Sequence, residues 1–172
     1  EFFTGATKHT VLMGADYQRR KTVVDWTSGG LAPINAFNPV YGNSDISYYS
    51  PVSYLRRLEQ TGVYLQDLIE MDKWRFSLGL RQDWVETSDE NRLAEFNRPA
   101  GTEISDKRTK LTGRAGALYL FDNGIAPYIS YSESFNPNSY ADSAGNPLAP
   151  TDGTQWEVGL KYQPPGIDNL FT

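Results

Sequence analysis

At 172 residues, with no cysteine, 13% aromatic residues and a formal net charge of −5, the chain is long enough for one sizeable domain and carries no basic run to invite nucleic acid. No stretch approaches the ~20 consecutive apolar residues of a membrane-spanning helix, which excludes that class. A mean hydropathy of −0.53 suits a soluble domain, but it suits a membrane β-barrel equally, because only alternate strand residues of a barrel meet lipid and its loops are polar.

Residues 8–20 read as the first strand. Val11, Met13, Ala15 and Tyr17 share one parity, while Thr10, Leu12, Gly14, Asp16 and Gln18 share the other. A period of two marks a strand with one apolar and one polar face, and Leu12 is the misfit. Residues 25–53 then read as a long connection, punctuated by Gly29, Gly30, Pro33, Pro39, Gly42 and Pro51. A connection of that length is expected only of a functional loop, and this one is rich in aromatics: Trp26, Phe37, Tyr41, Tyr48 and Tyr49.

Residues 61–84 form the clearest unit, two alternating strands around a short polar turn at residues 70–73. Thr61, Val63, Leu65 and Ile69 oppose Gly62, Tyr64 and Gln66 in parity; Trp74, Phe76, Leu78 and Leu80 oppose Arg75, Ser77, Gly79, Arg81 and Asp83. Residues 85–107 read as a second long, charged loop. Residues 110–121 return as a strand, with Leu111, Ala115, Ala117 and Tyr119 on the apolar parity, and Asp122-Asn123-Gly124 is a hairpin signal. In the next strand, residues 125–135, Ile129, Tyr131 and Phe135 are apolar-side and Tyr128, Ser130, Ser132 and Ser134 polar-side. A third loop spans residues 136–152. Residues 155–162 close the series with Trp156, Val158, Leu160 and Tyr162 against Gln155, Glu157, Gly159 and Lys161, and Pro164-Pro165-Gly166 ends it.

Parity also fixes one turn. Two directly paired residues must share a face, so a two-residue Asn123-Gly124 turn would set Ala117 against a polar-side residue. A three-residue turn pairs Phe121 with Ile125 and Ala117 with Ile129, and requires Gly124 at positive φ in a G1 bulge.

A wet face carrying arginines, aspartate, glutamines and glycines is unlike the outside of a soluble sandwich. It matches a barrel with lipid outside and a polar lumen inside. Trp74 and Trp84 bracket the apolar run of their strand about ten residues apart, close to the ~9–11 residues a tilted strand needs to cross a bilayer, as interfacial aromatic girdles do. The connections alternate long and short, as in outer-membrane barrels with long external loops and tight periplasmic turns. The expected fold is therefore all-β: an antiparallel transmembrane β-barrel segment.

The strings LEQTGVYLQD (58–67), LGLRQDW (78–84), YLFDNGIAPYISYSESFNPNS (119–139) and QWEVGLKYQPPG (155–166) resemble the barrel of TonB-dependent ferric-siderophore receptors. HTVLMGADYQRR (9–20) and FNPVYG (37–42) resemble the ferrichrome and ferrioxamine branch. The resemblance implies a barrel of about 22 strands, monomeric when full length, in the bacterial outer membrane. It further implies import of a ferric siderophore, with the hydroxamate type suspected, driven by the TonB complex through a plug domain. Residues 1–172 then correspond to part of the barrel domain, without the plug, in a chain that opens mid-pattern at Glu1 and stops at Thr172. A general diffusion porin and a soluble β-sandwich binding module are the alternatives.

No catalytic residues and no metal ligands are identified, and no cofactor is expected beyond the transported ferric siderophore. His9 is the only histidine, too little for a metal site. Glu133 reads as a solvated or ion-paired residue near the external rim, and Asp67, on the lipid parity, as a headgroup-level residue. Arg81, Arg114, Glu157 and Lys161 read as lumen ion pairs and hydrogen-bond partners for the plug. Because the iron of a ferric siderophore is already coordinated, a receptor needs apolar and hydrogen-bonding walls. Trp26, Phe37, Tyr41, Tyr48 and Tyr49 on the first long loop are the candidate ligand-binding residues.

Overall fold

The structure is a computed structural model that describes residues 1–42, 45–94, 98–142 and 144–162; the Pro164-Pro165-Gly166 stop lies outside them. Strands β1 (Phe2–Thr4), β2 (Thr7–Leu31), β3 (Ile46–Met71), β4 (Trp74–Asn91), β5 (Thr102–Tyr119), β6 (Ile125–Asn136) and β7 (Thr151–Tyr162) form a single antiparallel sheet in sequence order. Each strand lies beside its neighbour in the chain, as tight turns between alternating segments dictate. The turns at residues 5–6, 72–73 and 120–124 stand at one end of the sheet, and the connections 32–45, 92–101 and 137–150 at the other.

The registers join the expected parities into continuous faces. Met13 pairs with Leu65 and Leu65 with Leu80, while Ile69 pairs with Phe76, Phe76 with Ala117, Ala117 with Ile129 and Ile129 with Val158. This apolar side stays uncovered by the chain: Met13, Leu80, Trp156, Val158 and Leu160 are all exposed. Along the short-turn end Trp74 stacks on Phe76 and meets Tyr119 edge-on, and Tyr119 meets Phe121 edge-on, with centroid separations of 4.8 to 5.5 Å. Trp84 stands about ten residues up β4, which at ~3.3 Å per residue and ~40° of tilt is an apolar band roughly 25 Å tall. Above Trp84 the same face becomes charged, with ion pairs Arg19–Glu59, Lys107–Glu86 and Arg57–Glu90.

Three expectations on extent are corrected. β2 and β3 run far into the stretch expected to be loop, leaving only residues 32–45 as connection, and β4 and β5 consume most of 85–107. Past the membrane band both faces are wet, so the apolar signal stops while the backbone ladder, which needs only a partner strand, goes on. Pro51 is accommodated because the register slips by one residue between Trp26 and Ser28, a bulge on β3 beside a residue that has no N–H to donate. The turn at 70–73 narrows to Asp72 and Lys73, with Asp72 at φ 51°, a conformation that Asp tolerates. The short β1 had no signal in the alternation.

The turn argued from parity is present. Gly124 has φ 83°, its N–H donates to Phe121 O at 3.0 Å, Phe121 N–H donates to Ile125 O at 2.9 Å, and Ala117 pairs with Ile129. The demand for one continuous apolar face overrides the local preference of Asn-Gly for a two-residue turn.

Candidate functional site

The polar side of the sheet, which faces the lumen of a closed barrel, is organised around arginines that lie flat. Arg81 on β4 reaches across Gly62 of β3 to Asp16 of β2, donating from Nη1 and Nη2 at 2.7 and 3.0 Å, and its Nε donates to Asp83 at 2.9 Å. Gln60 donates to Asp83 at 2.8 Å and completes the group. One turn-ward row lower, Arg114 on β5 reaches across Gly79 of β4 and donates to Gln66 of β3. A Cβ on Gly79 would stand 2.7 Å from Arg114 Nε and 2.9 Å from its Cγ; the close approach is open to glycine alone.

Toward the long-loop end the wall carries a second cluster, absent from the sequence reading because Asp89 and Arg98 were taken for loop and Tyr54 and Arg56 were given to no strand. The Arg56 guanidinium sits 3.9 Å from the ring centroids of both Tyr54 and Tyr140, a double cation–π contact, and 3.4 Å from the buried Asp89. Arg98, from the connection 92–101, approaches Asp89 at 4.0 Å, and Asn91 donates to the Arg98 carbonyl at 3.0 Å. Tyr140 reaches β3 because the connection 137–150 folds inward as a miniature hairpin. Asp142 closes its tip, accepting from the backbone N–H of Ala144 and Asn146 at 2.9 and 2.8 Å and from the Asn146 amide at 3.0 Å. Those donors, the Asn146 side chain foremost, hold the Asp142 carboxyl below the usual aspartate range.

The five candidate aromatics are not gathered into one wall. All are exposed, Phe37 completely. Trp26 has the lumen parity, Tyr49 stands opposite Ser28 on that same side, and Tyr48, opposite Gly29, is on the reverse side. Tyr41 lines a hollow within the loop together with Pro33, Ile34, Asn38 and Val40. Of the four residues expected to make lumen ion pairs or bonds to a plug, Arg81 is in an ion pair among the described residues. Glu157 instead accepts from the Tyr128 hydroxyl, and Lys161 lies 5.2 Å from the Tyr128 ring centroid. Glu133, partly exposed, accepts from Gly113 N–H at 2.9 Å and Tyr131 O–H at 2.8 Å, where the β5–β6 ladder ends. His9, whose ring stacks on Phe2, lies with Nδ1 2.7 Å from Asp67 Oδ2 and gives that lipid-side carboxylate its partner. Among the described residues no group of His, Cys, Asp and Glu is arranged to hold a metal.

The whole chain, residues 1–172, matches the family described as "TonB dependent receptor-like, beta-barrel". The chain belongs to the TonB-dependent receptor β-barrel family. As a member it is part of an outer-membrane barrel, in a family of receptors and transporters. It is 47% identical over 171 residues to the ferrioxamine B receptor of Salmonella typhimurium, covering 98% of this chain and 23% of that protein. It is 40% identical to the ferrichrome outer membrane transporter/phage receptor of Escherichia coli, covering 95% of this chain and 22% of that protein. The siderophore receptor PiuA from Acinetobacter baumannii superposes with a TM-score of 0.71 at 24% identity, over 94% of this chain and 27% of that one, and so shares the fold. The TonB-dependent receptor segment described here thus spans about a quarter of the length of the relatives it matches.

Proposed function

We propose that the full-length protein is an outer-membrane receptor that binds a ferric siderophore of the hydroxamate type outside the cell. It imports the complex through its lumen, driven by TonB through a plug domain, and it performs no enzymatic step. The observation that carries this reading is the match of the whole chain, at 40–47% identity, to receptors named for ferrioxamine B and ferrichrome. The wall is consistent with it. One face offers lipid an apolar band, and the other offers the lumen guanidinium groups, amides and hydroxyls. A diffusion porin draws no support from these relatives.

In this reading Trp26, Phe37, Tyr41, Tyr48 and Tyr49 supply aromatic surface to the ligand at the external end, with Trp26 and Tyr49 on the lumen side. The test is binding of ferrioxamine B and ferrichrome to the full-length protein in detergent, before and after all five are replaced by Ala. Weakened binding by a barrel that still resists heat and protease supports the assignment; unchanged affinity removes these residues from the site. No binding of either complex by the unaltered protein overturns the function.

A further inference from the structure

We infer that the lipid side of the sheet carries a site for one phospholipid of the leaflet at the short-turn end, its acyl chain seated along β5 and its primary ammonium headgroup at the foot of that strand.

The seat is a groove over β5, which lies between β4 and β6 and so owes nothing to an open edge. Its floor is Ala115 and Ala117, small residues on the lipid parity. Phe76 and Leu78 of β4 pair with these two alanines from one side, and Ile129 and Tyr131 of β6 pair with them from the other. Large side chains thus flank methyl groups in successive rows, and the hollow between them runs along the strand. Trp74, stacked on Phe76, raises one wall, and Trp156, with its ring 4.8 Å from that of Tyr131, raises the other. A second hollow continues the first down to Tyr119 and Pro127. From Tyr119 to Ala115 is about 13 Å of strand, or about 10 Å of height at ~40° of tilt, less than half of the apolar band. Membership of an outer-membrane barrel family puts lipid on this face. The chain that fills so low a groove comes from the short-turn leaflet, which is the periplasmic one in such barrels.

The foot of the groove adds a polar demand. Phe121 N–H donates to Ile125 O, so every second opposed pair up this ladder exchanges backbone bonds, and the next such pair is Tyr119 with Pro127. Pro127 has no N–H. The ladder accordingly stops at Leu118–Tyr128, and the Tyr119 carbonyl lacks the donor that the opposite strand should return. Pro127 is paired with Leu160 of β7 on its other side, so it stands inside the sheet, away from the edges and bulges that usually hold proline. Hydrocarbon offers such a carbonyl no donor; an ammonium headgroup does. Below it lie Lys73 and the exposed Asp122, 2.7 Å apart, one charge of each sign at headgroup level. An ammonium held between the Tyr119 carbonyl and Asp122, with its phosphate toward Lys73, answers all three groups.

The test uses the full-length protein, stripped of lipid in detergent and titrated with three phospholipids of the same acyl chains. Phosphatidylethanolamine has the N–H donors, phosphatidylcholine has a methylated ammonium without them, and phosphatidylglycerol has no ammonium. Thermal midpoints and lipid retained in native mass spectrometry are read for the unaltered protein, for Ala117→Leu, which fills the groove with apolar atoms, and for Pro127→Ala, which returns an N–H to the Tyr119 carbonyl. The unaltered protein is expected to retain one phosphatidylethanolamine and to gain more in midpoint from it than from the other two. Ala117→Leu is expected to lose both the retained lipid and the gain. Pro127→Ala is expected to start from a higher midpoint without lipid and to respond equally to phosphatidylethanolamine and phosphatidylcholine. A midpoint indifferent to headgroup in the unaltered protein, or an equal gain from phosphatidylglycerol, overturns the ammonium assignment, and full retention of lipid by Ala117→Leu overturns the groove. If Ala117→Leu fails to assemble, Pro127→Ala decides alone, and an undiminished preference for phosphatidylethanolamine in that variant overturns the site. None of these readings uses a siderophore, so the outcome is independent of the import function.

Discussion

Leu78 and Ser77 are adjacent in the chain and occupy different solvents. Leu78 stands on the apolar band, paired with Asp67 and Ala115, and Ser77 faces the polar side beside Gly116. A charge on the lipid side near the bilayer midplane costs roughly 2–4 kcal/mol and much less in a wet lumen. Leu78→Arg is therefore expected to impair assembly of the full-length protein while Ser77→Arg assembles normally; heat-modifiable gel migration of the two checks it. Which face a residue occupies was legible because parity is written along the chain. Its partners were not: Asp67 meets His9 from 58 positions away, and Arg81 finds Asp16 two strands over, distances that alternation does not encode. The same separation keeps the Arg114–Gln66 bond, between strands two apart, out of reach of the alternation.

At the level of elements, the hairpins were read with the right faces and the wrong lengths. Apolar alternation reports where a strand meets lipid, and β2 and β3 continue past that band as ladders with two wet faces, where Gly29, Gly30 and Pro51 looked like loop punctuation. The cluster of Arg56, Tyr54, Asp89 and Tyr140 draws on the outer ends of β3 and β4 and on the connection 137–150, where no apolar alternation marks a face, which is why it escaped notice. The β5–β6 turn was legible because a conflict of faces left one solution. Since Gly124 holds φ 83° there, Gly124→Ala is expected to destabilise the hairpin by about 1 kcal/mol, seen as faster amide exchange at Phe121 in the full-length barrel. The 137–150 hairpin has a pH dependence of definite sign. Asp142 has its carboxyl depressed in the folded loop, so its contribution is present above the ordinary aspartate range and is lost as pH falls through the lowered value. Protection of the Ala144 and Asn146 amides, corrected for intrinsic exchange, is expected to hold at neutral pH and disappear in strong acid; Asp142→Asn should flatten that profile.

On the scale of the whole molecule, the described sheet is a wall without an interior. The chain's accessible surface is 12426 Å², against roughly 8,500 Å² for a compact monomer of this mass, and among the described residues no side chain is fully buried. As part of an outer-membrane barrel the sheet needs lipid against its apolar side and closure at its edges, since an unpaired backbone group in lipid costs several kcal/mol. Residues 1–172 expressed alone are therefore expected not to yield a heat-resistant, protease-resistant species in detergent micelles; recovery of one would show that the sheet closes on itself.

The unbroken register from Lys8–Glu70 to Trp26–Val52 in β2 and β3, and the equally continuous one between β4 and β5, has a mechanical meaning. The bonds of an antiparallel ladder run perpendicular to the strands. A pull directed along the strands therefore loads a whole row of them in shear at once, while a pull across the wall opens them one after another. In the import proposed above, a load drawn through the lumen would pull on these walls chiefly along the strands, the direction in which the rows share it, and would leave the barrel standing still.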